Sequence, residues 1–309
     1  MTCVYFHSEL DDPVAWERAL QPLVPGLEFK VGPACVNPER VDVALIWTLP
    51  AGGLEPFTQL KAVLSLGAGV NQIGLHNLPD HVPIARLVDP HLTRTMVEYA
   101  KAAVFRHHRK FHLFEARSRQ RVWEFVAPHT SASTSVAVLG LGELGSQIAQ
   151  ALAGEGFAVG GWRRSGAQVG TIATFQGDAG MTELLRTADI IVNVLPLTDA
   201  TDGLLNADFF ARCKPGVCLV NMGRGRQLVE DDFLSALEQG LVEAATLDVF
   251  EEEPLDPQHP YWNHPRILPT PHVAGIGSPE TSAPQIAQNI ARALQGLPLI
   301  NALDRSKGY

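Results

Sequence analysis

The six residues Gly140-Leu141-Gly142-Glu143-Leu144-Gly145 constrain this chain more than any other segment. They follow the apolar run Val136-Ala137-Val138-Leu139, a buried-strand pattern, and precede Ser146 to Ala153, which is helix-permissive. Between a strand and a helix, the G-x-G-x-x-G spacing does three separable jobs: a tight turn, backbone approach to a pyrophosphate, and close helix–strand packing at a positive helix end. Alone, so short a pattern is equally a structural turn. In its strand–loop–helix context it predicts a dinucleotide site on a parallel α/β sheet.

A βα rhythm continues beyond that loop. Asp189 to Val194, Val217 to Asn221 and Ala244 to Val249 read as successive buried parallel strands. Eighteen residues after Gly145, where an NAD site usually ends its second strand with an acid, stand Gly161-Trp162-Arg163-Arg164-Ser165. A carboxylate there would accept a ribose 2′-hydroxyl and repel a 2′-phosphate, whereas adjacent guanidiniums and a hydroxyl suit the phosphate. NADP(H) is therefore expected as the preferred cofactor, with NAD(H) accepted equally if Arg163 and Arg164 are only an exposed surface pair.

The first hundred residues carry the same rhythm. Val4-Tyr5-Phe6, Leu27 to Val31, Val43 to Trp47 and Ala62 to Leu66 read as strands, Pro13 to Leu23 and a stretch around Phe57 to Lys61 as helices, and Gly67-Ala68-Gly69 as a loop. Met96 to about Arg121 lacks Gly and Pro and repeats apolar residues at helical spacing, predicting one long helix. Its cluster Arg106 to Lys110 is assigned no chemistry. Ala283 to Leu294 predicts a last helix, followed by a tail returning to the first domain.

A chain of 309 residues exceeds what one core usually serves, so two α/β domains are expected. A formal charge of -9 argues against a broad phosphate-backbone footprint, which would need a basic face, so nucleic acid is not expected as a partner. Cys3, Cys35, Cys213 and Cys218 form no C-x-x-C pair, and Met1 to Asp11 contains no long apolar run. These features predict a cytoplasmic protein without a membrane partner, and no His/Cys/carboxylate grouping has metal-ligand spacing.

Three further segments carry polar groups near predicted strand ends: Asn221-Met222-Gly223-Arg224-Gly225, Asp248 to Pro254, and Thr270-Pro271-His272. Hydride delivered to a carbonyl carbon leaves an alkoxide that needs a proton, and histidine titrates nearest working pH. An adjacent carboxylate would orient such a ring and favour its protonated form. An arginine fork can hold a substrate carboxylate while polarising the neighbouring carbonyl. Taken singly, Arg224 could cap a helix, Glu253 could be one of three solvated acids, and His272 could be a satisfied core histidine.

Together, these segments resemble the D-2-hydroxyacid dehydrogenase family. Leu66-Gly67-Ala68-Gly69-Val70 and the ending Asp304 to Tyr309 resemble its glyoxylate/hydroxypyruvate reductase A branch. The resemblance implies Arg224, Glu253 and His272 as catalytic residues, with Pro254 singling out Glu253 from its acidic neighbours. It implies substrate contacts from Trp47, Gly67, Ala68, Gly69 and Arg224. The implied cofactor contacts are Gly140 to Gly145 (Leu141, Gly142, Glu143 and Leu144 included), Trp162 to Ser165, Leu195, Pro196, Thr201, Met222, Gly223, Arg224 and Asp248.

The implied fold is α/β, with two Rossmann-like or flavodoxin-like parallel-sheet domains and the active site in the cleft between them. Residues 1–98 with 275–309 would form the substrate domain and residues 99–274 the cofactor domain, the assembly being a homodimer. The implied activity is NADPH-dependent reduction of a small 2-oxo acid, glyoxylate or hydroxypyruvate, to glycolate or D-glycerate. A reductase of bulkier 2-oxo acids and a non-catalytic NADP(H)-sensing protein are the competing expectations.

Overall fold

The computed structural model describes the chain except residues 33–36, 71–72, 75–77, 80, 165, 167, 276 and 304–309. Ser165 and the ending 304–309, both singled out above, therefore lie outside the described residues. Two compact units result: Met1–Leu92 with Gly277–Tyr309, and Thr93–Ile276.

In the first unit, β1 (Thr2–His7), α1 (Pro13–Leu20), β2 (Leu27–Val31), β3 (Val43–Ile46), β4 (Ala62–Ser65) and β5 (Ile84–Ala85) build a five-stranded parallel sheet of order β2-β1-β3-β4-β5. Its central strands β1, β3 and β4 are mostly apolar and buried from Thr2 to Phe6, Val43 to Ile46 and Ala62 to Ser65, because both faces are covered. Val4, Phe6, Val43 and Leu45 face one cluster with Trp16 and Leu20, while Tyr5, Ala44, Ile46 and Val63 face another. The Asp12 carboxylate caps α1 by accepting from the Val14 N–H at 3.0 Å, with Pro13 in the first turn.

Where a helix is expected around Phe57 to Lys61, the structure has consecutive turns: Phe57 N–H bonds Leu54 O at 3.0 Å and Leu60 N–H bonds Phe57 O at 3.1 Å. Leu54, Phe57 and Leu60 mimic a helical repeat, but Gly52 and Gly53 adopt positive φ and Pro56 offers no N–H, so no helix can nucleate across so short a stretch.

The expected long helix is two. α2 (Pro90–His108) ends before Lys110, whose φ of 57° is left-handed, and α3 (Phe111–Gln120) begins immediately after it. The break lets the Lys110 ammonium bond the Glu243 carboxylate at 2.5 Å and His112 reach the same carboxylate at 3.1 Å. A distant partner overrides a locally uninterrupted helical pattern.

The second unit continues with β6 (Ser135–Leu139), α4 (Glu143–Gly154), β7 (Ala158–Trp162), β8 (Ala173–Phe175), α5 (Gly177–Thr187), β9 (Ile190–Asn193), α6 (Ala207–Arg212), β10 (Val217–Asn221), α7 (Glu230–Glu238), β11 (Val242–Leu247) and β12 (Ile267–Pro269). Its seven-stranded parallel sheet has the order β12-β11-β10-β9-β6-β7-β8. Strand order reverses between β6 and β9, and ligands of doubly wound sheets bind beyond the carboxyl ends of the strands at such a switch point. α8 (Pro279–Leu294) then packs Ile286 and Ile290 into the first unit's core, and Ala302 bridges Ala85. No helix among the described residues is long and apolar enough to cross a membrane.

Candidate active site

The loop between β6 and α4 shows why each glycine is there. Gly140 has φ 106°, and a Cβ on it would lie 3.1 Å from Val194 O. A Cβ on Gly145 would fall 1.9 Å from Gly140 O. Both are required by the protein's own packing. Gly142, at the N-cap of α4 with φ −85°, would place a Cβ within 4 Å of nothing in the chain, and its cap has no side-chain hydrogen bond. Open space before a first turn that no side chain caps fits a phosphate-bearing group, so the residues present suit the dinucleotide that the motif predicts. Leu141, 2% exposed, instead packs on β7, where a Cβ on Gly161 would strike its side chain at 2.5 Å.

At the end of β7, Trp162 is a fastener: its indole N–H donates to Gly177 O at 2.9 Å and its ring packs on the core. The Arg163 backbone is tied to Phe175 O at 3.1 Å, and its guanidinium lies over Gly166, where a Cβ would sit 2.7 Å away. Arg164 is exposed. The pair thus stands at the C-terminal end of the strand beside the glycine loop, where a 2′-substituent would be read.

Beyond β9 and β10 lies a set of buried amides that sequence reasoning overlooks. Asn193 Nδ2 donates to Asn221 Oδ1 at 2.9 Å and to Gln227 Oε1 at 2.8 Å. Gln227 Nε2 donates to the carbonyls of Leu195 (3.1 Å) and Pro196 (3.0 Å). The Leu195–Thr201 turn is also closed by the Thr201 hydroxyl, which donates to Pro196 O at 2.6 Å. The available signal was a polar residue, Asn193, ending an otherwise apolar strand. Met222 is buried, and a Cβ on Gly223 would crowd Gln227 Oε1 at 2.5 Å.

Arg224 follows in extended conformation, partly buried, its Nη1 donating to Gly223 O at 2.7 Å. Burial pushes its pKa below the ordinary guanidinium value, and the Glu253 carboxylate opposes that shift. Gly225 lets the chain touch the next loop backbone to backbone, since a Cβ there would be 1.8 Å from Phe250 C. That contact sets Arg224 beside the segment carrying Glu253.

His272 Nδ1 and Glu253 Oε2 are 2.7 Å apart, and Glu253 Oε1 accepts the Phe250 N–H at 2.9 Å. The Glu253–Pro254 peptide is cis. Burial raises the Glu253 pKa, but the hydrogen bonds from His272 and Phe250 and the charges of His272 and Arg224 outweigh it, leaving the group below the ordinary value. The two side chains are 33% and 35% exposed, enough for a small molecule to reach the ring.

The loop bearing His272, which has φ 53°, is held from beneath by Asp248. This carboxylate, 1% exposed, accepts from the Thr270 hydroxyl at 2.5 Å and from the N–H groups of Val273 (2.9 Å) and Ala274 (2.8 Å). The Tyr99 hydroxyl in turn lies 2.6 Å from Thr270 Oγ1. Asp248 is therefore committed to building the histidine loop.

In the first unit, Trp47 covers Gly67: a Cβ on that glycine would meet the indole at 2.5 Å. The Gly67 N–H donates to Ser65 Oγ at 3.1 Å, and the same hydroxyl donates to Gly69 O at 3.1 Å. Gly67 makes room for Trp47 and does not offer its amide outward. Arg224, Glu253 and His272 are thus brought together in the second unit, while Trp47 and Gly67 to Gly69 are grouped in the first.

A family model described as D-isomer specific 2-hydroxyacid dehydrogenase, NAD binding domain, matches residues 101–274. The chain belongs to this family. A glyoxylate/hydroxypyruvate reductase A of Serratia proteamaculans is 40% identical over 274 residues, spanning 87% of this chain and 88% of that protein. The crystal structure of a D-isomer specific 2-hydroxyacid dehydrogenase from Xanthobacter autotrophicus Py2 in complex with NADPH and MES superimposes with a TM-score of 0.94 at 39% identity, covering 100% of this chain and 99% of that one. An NADPH-dependent glyoxylate/hydroxypyruvate reductase from Sinorhizobium meliloti, solved with NADP and sulfate, gives 0.92 at 34% identity, with 100% of each chain covered.

Proposed function

We propose that this 2-hydroxyacid dehydrogenase reduces glyoxylate and hydroxypyruvate to glycolate and D-glycerate at the expense of NADPH. The observation that carries the reading is the His272 Nδ1 to Glu253 Oε2 contact of 2.7 Å beside Arg224. The reduced nicotinamide supplies hydride when bound. With Nδ1 held by Glu253, His272 delivers its proton from Nε2 to the developing alkoxide. Arg224 pairs with the substrate carboxylate and polarises the 2-oxo group, and Glu253 fixes the ring throughout. Gly142 and the first turn of α4 bind the pyrophosphate, Arg163 and Arg164 the 2′-phosphate, and the Leu195–Thr201 turn walls the adenine side. Asp248 serves through the loop it holds. In the first unit, Trp47, Ala68 and Gly69 are assigned to the substrate.

The test is a panel of initial rates, NADPH against NADH, with glyoxylate, hydroxypyruvate, pyruvate and phenylpyruvate. The expected result is fastest turnover with NADPH and the two small acids. Preference for phenylpyruvate would move the assignment to bulkier 2-oxo acids, and NADPH binding without turnover would indicate a sensing role.

The same reading includes a cytoplasmic homodimer. Burial pushes the Cys213 and Cys218 thiols up to about 12, as suits unreactive cysteines in a reducing compartment. Trp123 and Phe125 are 103% and 84% exposed, with Phe111, Phe114 and Val122 also exposed, and a second copy is the natural cover for such a patch. Light scattering on Trp123→Asp should show a shift from dimer to monomer; a wild-type monomer would refute this assembly.

A further inference from the structure

Gln227 makes contacts that no catalytic assignment above uses. It is 1% exposed, and both ends of its amide are occupied. Oε1 accepts from the Arg224 N–H at 2.9 Å and from Asn193 Nδ2 at 2.8 Å. Nε2 donates to the carbonyls of Leu195 at 3.1 Å and Pro196 at 3.0 Å. The orientation is dictated from both sides, because carbonyls cannot face Oε1 and an N–H cannot face Nε2.

Neighbouring residues conform to this geometry. Asn193 Oδ1 accepts the Leu195 N–H at 3.3 Å, and Asn221 Oδ1 accepts the Gly223 N–H at 3.3 Å. Position 223 must be glycine because a Cβ would lie 2.5 Å from Gln227 Oε1 and 2.9 Å from Asn193 Nδ2. The network ends on two chain segments: the turn after β9 and the backbone of Arg224.

We propose that Gln227 is a positioning residue that locks the cofactor-side turn Leu195–Pro196 and the backbone of Arg224 into one register. The nucleotide wall and the substrate arginine are then set by a single side chain. This inference rests on the functional reading above for what the two segments bind. A fully satisfied buried amide network specifies one arrangement, and misplacing a substrate-orienting group by about 1 Å can cost on the order of a hundredfold in rate.

Two variants separate the halves of the amide. Gln227→Met keeps the side-chain length and removes every polar contact. It should weaken direct NADPH binding, read by titration of NADPH fluorescence, by about tenfold or more. At saturating NADPH it should also raise the KM for glyoxylate and lower kcat, by on the order of tenfold or more together. Gln227→Glu retains an acceptor toward the Arg224 N–H but replaces the NH2 that faces two carbonyls. It should therefore weaken NADPH binding by about tenfold while moving the glyoxylate KM by less than about threefold.

A purely structural role predicts a lower Tm in both variants, with unchanged NADPH affinity and unchanged kinetics per folded molecule. That outcome overturns the proposal. Failure of wild-type protein to reduce any 2-oxo acid would overturn the substrate assignment instead, and the NADPH titrations would still decide whether Gln227 controls the Leu195–Pro196 turn.

Discussion

Replacing Glu253 by Gln removes one charge while leaving most of the local shape intact. An amide oxygen can still accept the Phe250 N–H that now reaches Oε1 at 2.9 Å. What is lost is the charge-assisted contact at 2.7 Å to His272 Nδ1. Hydrogen bonds to charged groups are worth about 1.5–3 kcal/mol, and a side chain 35% exposed belongs toward the lower end. A loss of ~2 kcal/mol corresponds to roughly a thirtyfold fall in kcat/KM for glyoxylate. NADPH affinity should be spared, since Glu253 is assigned no cofactor contact. Stability supplies an independent sign. The folded-state pKa of Glu253 is depressed, so its stabilisation is complete above an unfolded value of about 4.3 and is lost as pH falls through the folded value. The Tm of wild-type protein should drop more steeply than that of Glu253→Gln over that acid range. The assay is steady-state NADPH oxidation with a parallel thermal melt. A change in kcat/KM of less than about threefold would refute the assignment of Glu253 as the partner that holds His272.

Other outcomes follow from the same geometry. Gly142→Ala should leave Tm within about 1 °C of wild type, because its Cβ meets nothing in the chain, yet weaken NADPH binding by about tenfold if the pyrophosphate is held there as proposed; Gly145→Ala, with a Cβ 1.9 Å from Gly140 O, should fail to fold or melt far lower. Unchanged NADPH binding in the first variant would remove the pyrophosphate assignment. Arg163→Ala should raise the KM for NADPH by on the order of tenfold and leave that for NADH nearly unchanged, whereas equal changes would sink the 2′-phosphate role. Burial raises the Glu243 pKa, but His112 and Lys110 overcome that and hold it at about 2. Its stabilisation should be present above about pH 4.3 and lost toward pH 2, so acid melts of Glu243→Gln should lack that component; parallel wild-type and variant curves would contradict the account.

Much of this organisation can be read from residues alone, for identifiable physical reasons. Strands buried on both faces appear as unbroken apolar runs, which is why Val217 to Asn221 is delimited correctly by pattern. The glycine loop is legible because a tight turn at Gly140 and close helix–strand packing at Gly145 each exclude a side chain. The groups assigned to catalysis, Arg224, Glu253 and His272, sit in short segments after strands, so their order along the chain already suggests their grouping. Partners far apart in sequence are not legible in this way. Lys110 breaks α2 from α3 to reach Glu243, 133 residues away, and nothing between Met96 and Arg121 signals it. Gln227 looks like an ordinary polar residue until the structure places it between Arg224 and Leu195. Gly67 resembles a substrate-gripping amide in sequence, yet its N–H belongs to Ser65 and its missing side chain makes room for Trp47.

The most direct measurement compares wild type and His272→Ala for the loss of reduced-nicotinamide absorbance with NADPH and glyoxylate, alongside NADPH affinity by fluorescence. The account predicts rapid wild-type oxidation and a fall of about 10²-fold or more in the variant, with NADPH binding within about threefold of wild type. Wild-type-like turnover by His272→Ala would contradict the assignment of His272 as the proton donor.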